Sequence, residues 1–249
     1  MQDVLGWRKL FGILGPSTNT VVQPEFEDMR PAGVTNHYSR VFTPNAQAID
    51  NESFMKATHV ISEGVIDAID SVMTCDPHYL VMGMSAVTFY GGLKGAAEFE
   101  KQVTDRSGGV GVSVGSTSTA EALRAYGNIK SIAFLSPYFP AANEQVRQYF
   151  TEAGFEVKGD IPLQRPSWTA IAQTPIETMF ETLKQLDNPD VDALVQVGTN
   201  LPMAALAAMA EPIFGKPVIA INTATYWHAL RSNGITDKID GFGSLLQDH

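Results

Sequence analysis

Hydroxyl and amide side chains follow several apolar runs of this sequence. Ser17 and Asn19 come after the run FGILG, Ser85 after YLVMGM, and Thr199 with Asn200 after DALVQVG. If these runs are parallel strands, the polar residues lie at their carboxyl ends, where open α/β sheets bind ligands. Backbone N–H groups at helix starts, with hydroxyls beside them, bind anions without Lys or Arg. The pattern predicts a pocket for a small carboxylate, although the same residue types also cap helices.

Ser85 allows a second interpretation. The segment GMSAV places it where a strand turns into a helix, as in a nucleophile elbow, but the second glycine of G-x-S-x-G is absent. A serine hydrolase also needs a histidine within hydrogen-bond reach. His37 and His228 are the candidates, and a structural role suits each as well. Hydrolysis of a small ester, lactone or amide, by Ser85 or by a held water, therefore stays an alternative.

The single cysteine, Cys75, lies in TCDPHY, before the apolar run at 79–84. A strand of that length spans roughly 17–20 Å, so Cys75 is expected at the edge of the sheet opposite the pocket. With His78 it forms a C-x-x-H pair that has no further Cys or His nearby to complete a zinc site. We expect neither a metal nor another cofactor.

Short apolar runs alternate with amphipathic stretches, which is the pattern of β-α units in a parallel sheet. The predicted strands are 9–14, 34–42, 79–84, 110–114, 131–136, 155–159, 192–197 and 217–221. The clearest predicted helices are 52–73, 117–126, 141–153, 174–186, 202–211 and 224–232. The fold class is therefore α/β.

The chain also repeats itself in order. FGILGPS (11–17) matches IAFLSPY (132–138), VMGMS (81–85) matches VQVGTN (195–200) with Gly83 opposite Gly198, and STSTAEALRAYG (116–127) matches TATYWHALRSNG (223–234). Three ordered matches predict two related halves with a shared cleft between them. We place the first half at 1–115 together with 223–249, and the second at 116–222.

Composition narrows the functional classes. The net charge is −10, and the 17 Lys and Arg are scattered, which argues against nucleic acid as a partner. No window approaches the 18 or so apolar residues of a membrane span, and the first residues do not resemble a signal peptide. One cysteine fits a reducing compartment. We expect a cytoplasmic protein with a small-molecule substrate and no membrane contact.

Six segments together resemble the maleate isomerase and arylmalonate decarboxylase group of the Asp/Glu racemase superfamily. They are PSTNT (16–20), HYSR (37–40), MGMSAVTFYGG (82–92), SPYFPAANEQV (136–146), VGTNL (197–201) and NTATYWHALRSNGI (222–235). The resemblance implies two pseudo-symmetric, Rossmann-like halves with the site in the cleft between them. It also implies a homodimer or higher homo-oligomer and cofactor-free chemistry beside a carboxylate.

Two cysteines, one from each half, typically face the substrate in that group, and the decarboxylase branch retains only the second. The resemblance puts Gly83 and Gly198 at those positions, so both thiols are missing. It assigns carboxylate binding to Ser17 and Asn19, and to Thr199 with Asn200. Met84 and Ser85 correspond to a Thr-Ser pair that holds a carboxylate or an enediolate in the decarboxylase branch.

The expected function is that of a cofactor-independent lyase or isomerase acting next to a carboxylate of a small organic acid. Preorganised donors on a developing oxyanion lower a barrier by about 3–4 kcal/mol each, so such chemistry can persist without cysteine. Tyr138, which follows proline as in the family pattern, or a bound water would supply the proton. A carboxylate-binding protein without catalysis is a third alternative.

Overall fold

The computed structural model describes residues 3–47 and 50–249. Its strands form two four-stranded sheets in which all paired strands run parallel. The predicted α/β class and the two-half architecture are confirmed. Because helices cover the sheets, the central strands are buried and mostly apolar, as in FGILG and SIAFLS.

The first sheet has the order β2-β1-β3-β4. Its strands are β1 (Lys9–Pro16), β2 (Val34–Val41), β3 (Tyr79–Met82) and β4 (Val112–Ser113). The helices between them are α1 (Val22–Asp28), α2 (Asn51–Glu63), α3 (Val65–Met73) and α4 (Gly92–Arg106), with a 3₁₀ turn at Ala86–Phe89.

The second sheet has the order β6-β5-β7-β8. Its strands are β5 (Ser131–Ser136), β6 (Glu156–Pro162), β7 (Ala193–Gln196) and β8 (Val218–Ala220). The helices that follow β4 along the chain are α5 (Gly115–Ala125), α6 (Pro140–Glu152), α7 (Trp168–Ala172), α8 (Ile176–Leu186), α9 (Ala204–Phe214), α10 (Ile221–Ser232) and α11 (Ser244–Asp248).

The two sheets repeat one topology, since replacing each strand of the first by the strand four later gives the second. The equivalent helices α5 and α10 pack against each other, and α10 also packs on β3 and β4. Both helices end in the same way, because Gly127 (φ +77°) and Gly234 (φ +70°) adopt the left-handed conformation that favours glycine after a helix. The exact division at 115/116 and 222/223 stays a prediction.

Strand pairing shows that Gly83 and Gly198 are not equivalent positions, because they differ by one residue in the repeat. Leu14 of β1 pairs with Met82, and the equivalent Leu135 of β5 pairs with Gln196. Accordingly, Gly83 N–H donates to Leu14 O, whereas Val197 N–H donates to Leu135 O. Gly83 is therefore equivalent to Val197 in backbone pairing, and Gly198 comes one residue later, inside the turn.

Several predicted boundaries were wrong. The single helix expected at 52–73 is two helices, α2 and α3, separated at Gly64. The strand expected at 110–114 pairs only at Val112–Ser113. The strand expected at 217–221 ends at Ala220, because the apolar Ile221 is the first residue of α10. Within the described residues, no helix is long and apolar enough to cross a membrane.

Candidate active site between the two halves

A cleft that is partly open to solvent lies where the turns after the central strands of the two sheets meet. The first half contributes Pro16, Thr18, Asn19, Ile61 and Met84 to Val87, and the second contributes Pro137, Tyr138, Trp168, Ile171 and Gly198 to Asn200. Among the described residues, every side chain lining the cleft is uncharged. The lining is mostly apolar with a few polar groups, as small-molecule sites usually are.

The closest polar contact in the cleft joins Ser85 to Tyr138. Their hydroxyl oxygens are 2.7 Å apart, and Ser85 Oγ also accepts a hydrogen bond of 3.2 Å from the Thr199 N–H. Both side chains are buried. One hydroxyl from each half thus meets at the centre of the site, with a backbone donor behind them.

Tyr138 is fixed from several sides. Its N–H donates to Ser136 Oγ, and its carbonyl accepts from Gln164 N–H. The ring of Phe54, from α2, packs on the Tyr138 ring with centroids 5.5 Å apart. Burial raises the pKa of the Tyr138 hydroxyl well above its ordinary value of 10, and the hydrogen bond with Ser85 opposes this only in part. The phenol is consequently protonated at neutral pH and able to donate.

Asn19 and Thr199 connect the halves beside this pair. Asn19 Oδ1 accepts from the N–H groups of Val21 and Val22 at the start of α1, and its Nδ2 donates to Thr199 Oγ1 at 3.1 Å. Thr199 Oγ1 in turn donates to Gly83 O at 3.2 Å. Asn19 and Thr199, which were expected to bind a carboxylate, are therefore already hydrogen-bonded to each other and to the backbone. A ligand anion must compete for these groups or bind to the hydroxyls of Ser85 and Tyr138.

The remaining predicted site residues divide into two groups. Asn200 lines the cleft, yet its amide is bonded to Thr20 N–H and Trp168 O. Met84 lines it directly. Ser17 and Gly83 do not line the cleft: Ser17 is exposed and its hydroxyl is bonded to the backbone of Thr43, whereas Gly83 contributes its carbonyl to Thr199.

Gly83 and Gly198, at the expected thiol positions, differ in how they would accept a side chain. Gly198 has φ +108°, and a Cβ there would lie 2.4 Å from Pro137 Cδ. A Cβ at Gly83 would meet Val22 Cγ2 at 3.1 Å and Leu14 O at 3.2 Å, which is tight but not blocked. The backbone around Gly198 is therefore shaped for glycine and excludes a cysteine unless Pro137 moves.

The apolar wall of the cleft is formed by residues that were not predicted for it from the sequence. Ile61 of α2 and Trp168 and Ile171 of α7 line the cleft, and Phe54 packs behind with its ring 5.1 Å from that of Trp168. Ile61 lies within the helix predicted at 52–73, whose periodicity does not indicate what that helix packs against. Trp168 follows the Ser167 cap of a helix that the sequence reading missed.

No histidine or cysteine lines the cleft in the part of the chain that the structure describes. His228 Nδ1 is 2.7 Å from Ser113 Oγ, and burial lowers the pKa of its ring. His37 is exposed. Cys75 lies before β3, with its thiol on Val72 O and with its pKa raised by burial. Ser85 thus has a tyrosine as its partner and no general base of the serine-hydrolase kind.

Among the described residues, neither a cationic side chain nor a metal site lines the cleft. Arg40 is exposed and bonded to Gln23 and to the carbonyl of Asn19, with its guanidinium over the Tyr38 ring. Across residues 3–47 and 50–249, no three His, Cys, Asp or Glu side chains are arranged to hold a metal ion.

The fold has known counterparts. A maleate cis-trans isomerase of Nocardia farcinica, solved with a covalently bound succinylcysteine intermediate, superposes with a TM-score of 0.87 at 23% identity, covering 97% of this chain and 99% of that one. Arylmalonate decarboxylase superposes with a TM-score of 0.76 at 19% identity, covering 95% and 98%.

Sequence comparison agrees. The maleate isomerase of Nocardia farcinica is 26% identical over 98% of this chain and 97% of that protein, and the maleate isomerase of Geobacillus stearothermophilus is 25% identical over 94% and 96%. The arylmalonate decarboxylase family profile matches residues 45–246, which is most of the chain. The chain therefore belongs to the arylmalonate decarboxylase family.

Proposed function

We propose that this protein is a cofactor-independent decarboxylase of small malonate-type acids that carry an apolar substituent. The observation that supports this most strongly is the pair of hydroxyls of Ser85 and Tyr138, 2.7 Å apart in a mostly apolar cleft. The pair offers what decarboxylation requires, namely hydrogen-bond donors for an enediolate and a proton for the carbon.

The donors form a chain that ends in the cleft. Thr199 N–H donates to Ser85 Oγ, and either hydroxyl of the Ser85–Tyr138 pair can be the donor. In the arrangement that we propose, Ser85 donates to Tyr138, which leaves the Tyr138 hydroxyl to donate to a ligand. Successive hydrogen bonds of this kind polarise one another in a low dielectric. The last hydroxyl in the chain is therefore the strongest donor that the cleft presents.

The reaction balances with these groups alone. The bond between the α-carbon and one carboxylate breaks, carbon dioxide leaves, and the electron pair remains as an enediolate hydrogen-bonded by the Tyr138 hydroxyl, which Ser85 orients. The Tyr138 O–H then gives its proton to the α-carbon. The phenolate, which burial makes strongly basic, regains a proton from water through the Ser85 hydroxyl.

The cleft also favours the loss of carbon dioxide. A carboxylate placed against Ile61, Trp168 and Ile171 has no cation to stabilise its charge, because the lining side chains are uncharged. Desolvation destabilises that ionised group, whereas the enediolate spreads its charge over oxygens that face the hydroxyls.

Cis-trans isomerisation is less well supported by the residues present. The related isomerase was solved with a succinylcysteine intermediate, which requires a thiol at the substrate. The only thiol here, Cys75, does not line the cleft, and its raised pKa disfavours the thiolate. Hydrolysis by Ser85 would need a base, and the cleft lining contains no histidine, Asp, Glu or Lys.

The test is turnover of a defined panel followed by NMR in deuterated water. Phenylmalonate and alkylmalonates should give the monocarboxylic acid with one deuterium at the α-carbon, with no cofactor added. Maleate should be unchanged, and so should small esters and lactones. Stabilisation by these acids without turnover would instead indicate a binding protein, and conversion of maleate to fumarate would indicate an isomerase.

A further inference from the structure

Glu25 is an acidic side chain that reaches the network supporting the site from outside the cleft. Its Oε2 accepts a hydrogen bond of 2.6 Å from Asn222 Nδ2, and its Oε1 accepts one of 3.0 Å from Ala204 N–H. Asn222 lies in the first turn of α10, and Ala204 is the first residue of α9. One carboxyl group of α1 thus binds the starts of α9, which follows β7, and of α10, which follows β8.

Asn222 transmits this contact to Thr199. Its Nδ2 also donates to Thr199 O at 2.9 Å, so the amide bonds two acceptors through one nitrogen. Because both partners are acceptors, the opposite orientation of the amide would place its oxygen against them. At its other end, Thr199 donates its N–H to Ser85 Oγ. Glu25 is therefore two hydrogen bonds from Thr199 and three from Ser85.

We propose that Glu25 is a positioning residue. By accepting hydrogen bonds from Asn222 and from the start of α9, its carboxyl group fixes the position of the Thr199 backbone. The Thr199 N–H in turn orients the Ser85 hydroxyl toward Tyr138. Glu25 lies outside the cleft lining. Its effect on turnover rests on the proposed function, whereas its effect on Thr199 does not.

The surroundings of Glu25 make this hold dependent on pH. Burial raises the pKa of the carboxyl group to about 7, the donors Asn222, Ala204 and Met203 lower it in part, and the charge of Asp28 on the same helix adds to the increase. From β2, Tyr38 and Arg40 reach the neighbouring Gln23 instead. Ionised acceptors bind N–H donors more strongly than neutral ones. The hydrogen bonds that Glu25 accepts from Asn222 and Ala204 therefore strengthen as pH rises through 7.

The first experiment measures the Thr199 amide directly, by ¹⁵N–¹H NMR of the full chain between pH 5 and 9. The variants are Glu25→Gln, which removes the ionisation with little change in shape, and Asn222→Ala, which removes the link. Glu27→Gln is the control, because Glu27 is on the same helix and pairs with Arg30 at the surface. The Thr199 shift should titrate with a midpoint near 7 in the wild type and the control only.

The second experiment is the pH profile of kcat on a malonate-type substrate. Glu25→Gln should lower kcat about tenfold above pH 7 with KM within twofold, and should remove the inflection near 7. A Thr199 shift that does not titrate, or that titrates equally in Glu25→Gln, overturns the inference whatever the turnover. A titrating shift in a protein without turnover supports the positioning role and counts against the proposed decarboxylase.

Discussion

The 2.7 Å contact between Ser85 Oγ and Tyr138 Oη joins the turn after β3 to the turn after β5, and so joins the two halves of the chain. Neither half alone contains both hydroxyls. The backbone donor behind them, Thr199 N–H, comes from the turn after β7. The candidate site is therefore a product of the repeat, since equivalent strand ends meet in one cleft.

Replacing Tyr138 by Phe should separate proton donation from packing. The ring that packs against Phe54 is kept, while the hydroxyl that would protonate the α-carbon is lost. We expect kcat for decarboxylation to fall about 10²-fold or more, measured by carbon dioxide release. Tyr226→Phe is the matched control, because that hydroxyl is also buried but bonds Asn36 away from the cleft. Equal losses in both variants would contradict the role of Tyr138.

Replacing Ser85 by Ala distinguishes a donor from a nucleophile. If Ser85 orients Tyr138 and a carboxylate, its loss removes about one net hydrogen bond and slows decarboxylation about tenfold. A serine nucleophile would instead lose all turnover. Steady-state rates on malonate-type acids and on an ester panel decide between these outcomes. Ester hydrolysis that disappears in Ser85→Ala would restore the hydrolase alternative.

Gly198→Ala should destabilise the fold strongly. The residue has φ +108°, and its new Cβ would overlap Pro137, so we expect the free energy of unfolding to fall by about 2–4 kcal/mol. Gly215→Ala is the control, since φ is +65° there and no atom lies within 4 Å of the added Cβ; it should cost about 1 kcal/mol. Urea denaturation measures both. Equal costs would mean that Pro137 moves freely.

Much of the fold was predictable, because apolar runs and helical periodicity mark elements whatever their partners. Tyr138, Ser85 and Thr199 were expected to lie near one another, since residues after parallel strands share one edge, and they line the same cleft. Ser17 was expected beside them, but it does not line the cleft and its hydroxyl is bonded to Thr43. The wall containing Ile61 was missed because it depends on how α2 crosses to the second half, which local sequence does not encode.

Glu25 gives the stability a predictable dependence on pH. Its carboxyl group has a pKa of about 7 in the folded chain, against an ordinary value of 4.5, so the folded state binds more protons between these values. The stability that Glu25 contributes is therefore fully present below about pH 4.5 and declines as pH rises to about 7. Glu25→Gln should abolish this part of the slope in urea titrations at pH 5, 6, 7 and 8.

The comparison must be made as a difference between variants, because His228 acts in the opposite direction. Burial lowers the pKa of its ring, so its contribution increases as pH rises through the ordinary histidine range. Glu27→Gln keeps His228 and Glu25 and should retain the slope of the wild type. A slope unchanged by Glu25→Gln would contradict the titration of Glu25 near neutral pH.

The measurement that most directly tests the central claim is a single-turnover reaction of phenylmalonate in deuterated water with wild type and with Tyr138→Phe. We predict that the wild type releases carbon dioxide and forms phenylacetate with one α-deuterium. Tyr138→Phe loses the hydrogen bond to the acid, so it should bind more weakly and, at saturating acid, form product about 10²-fold more slowly. Equal rates of product formation in the two proteins would contradict the account, as would a wild type that binds the acid and leaves it unchanged.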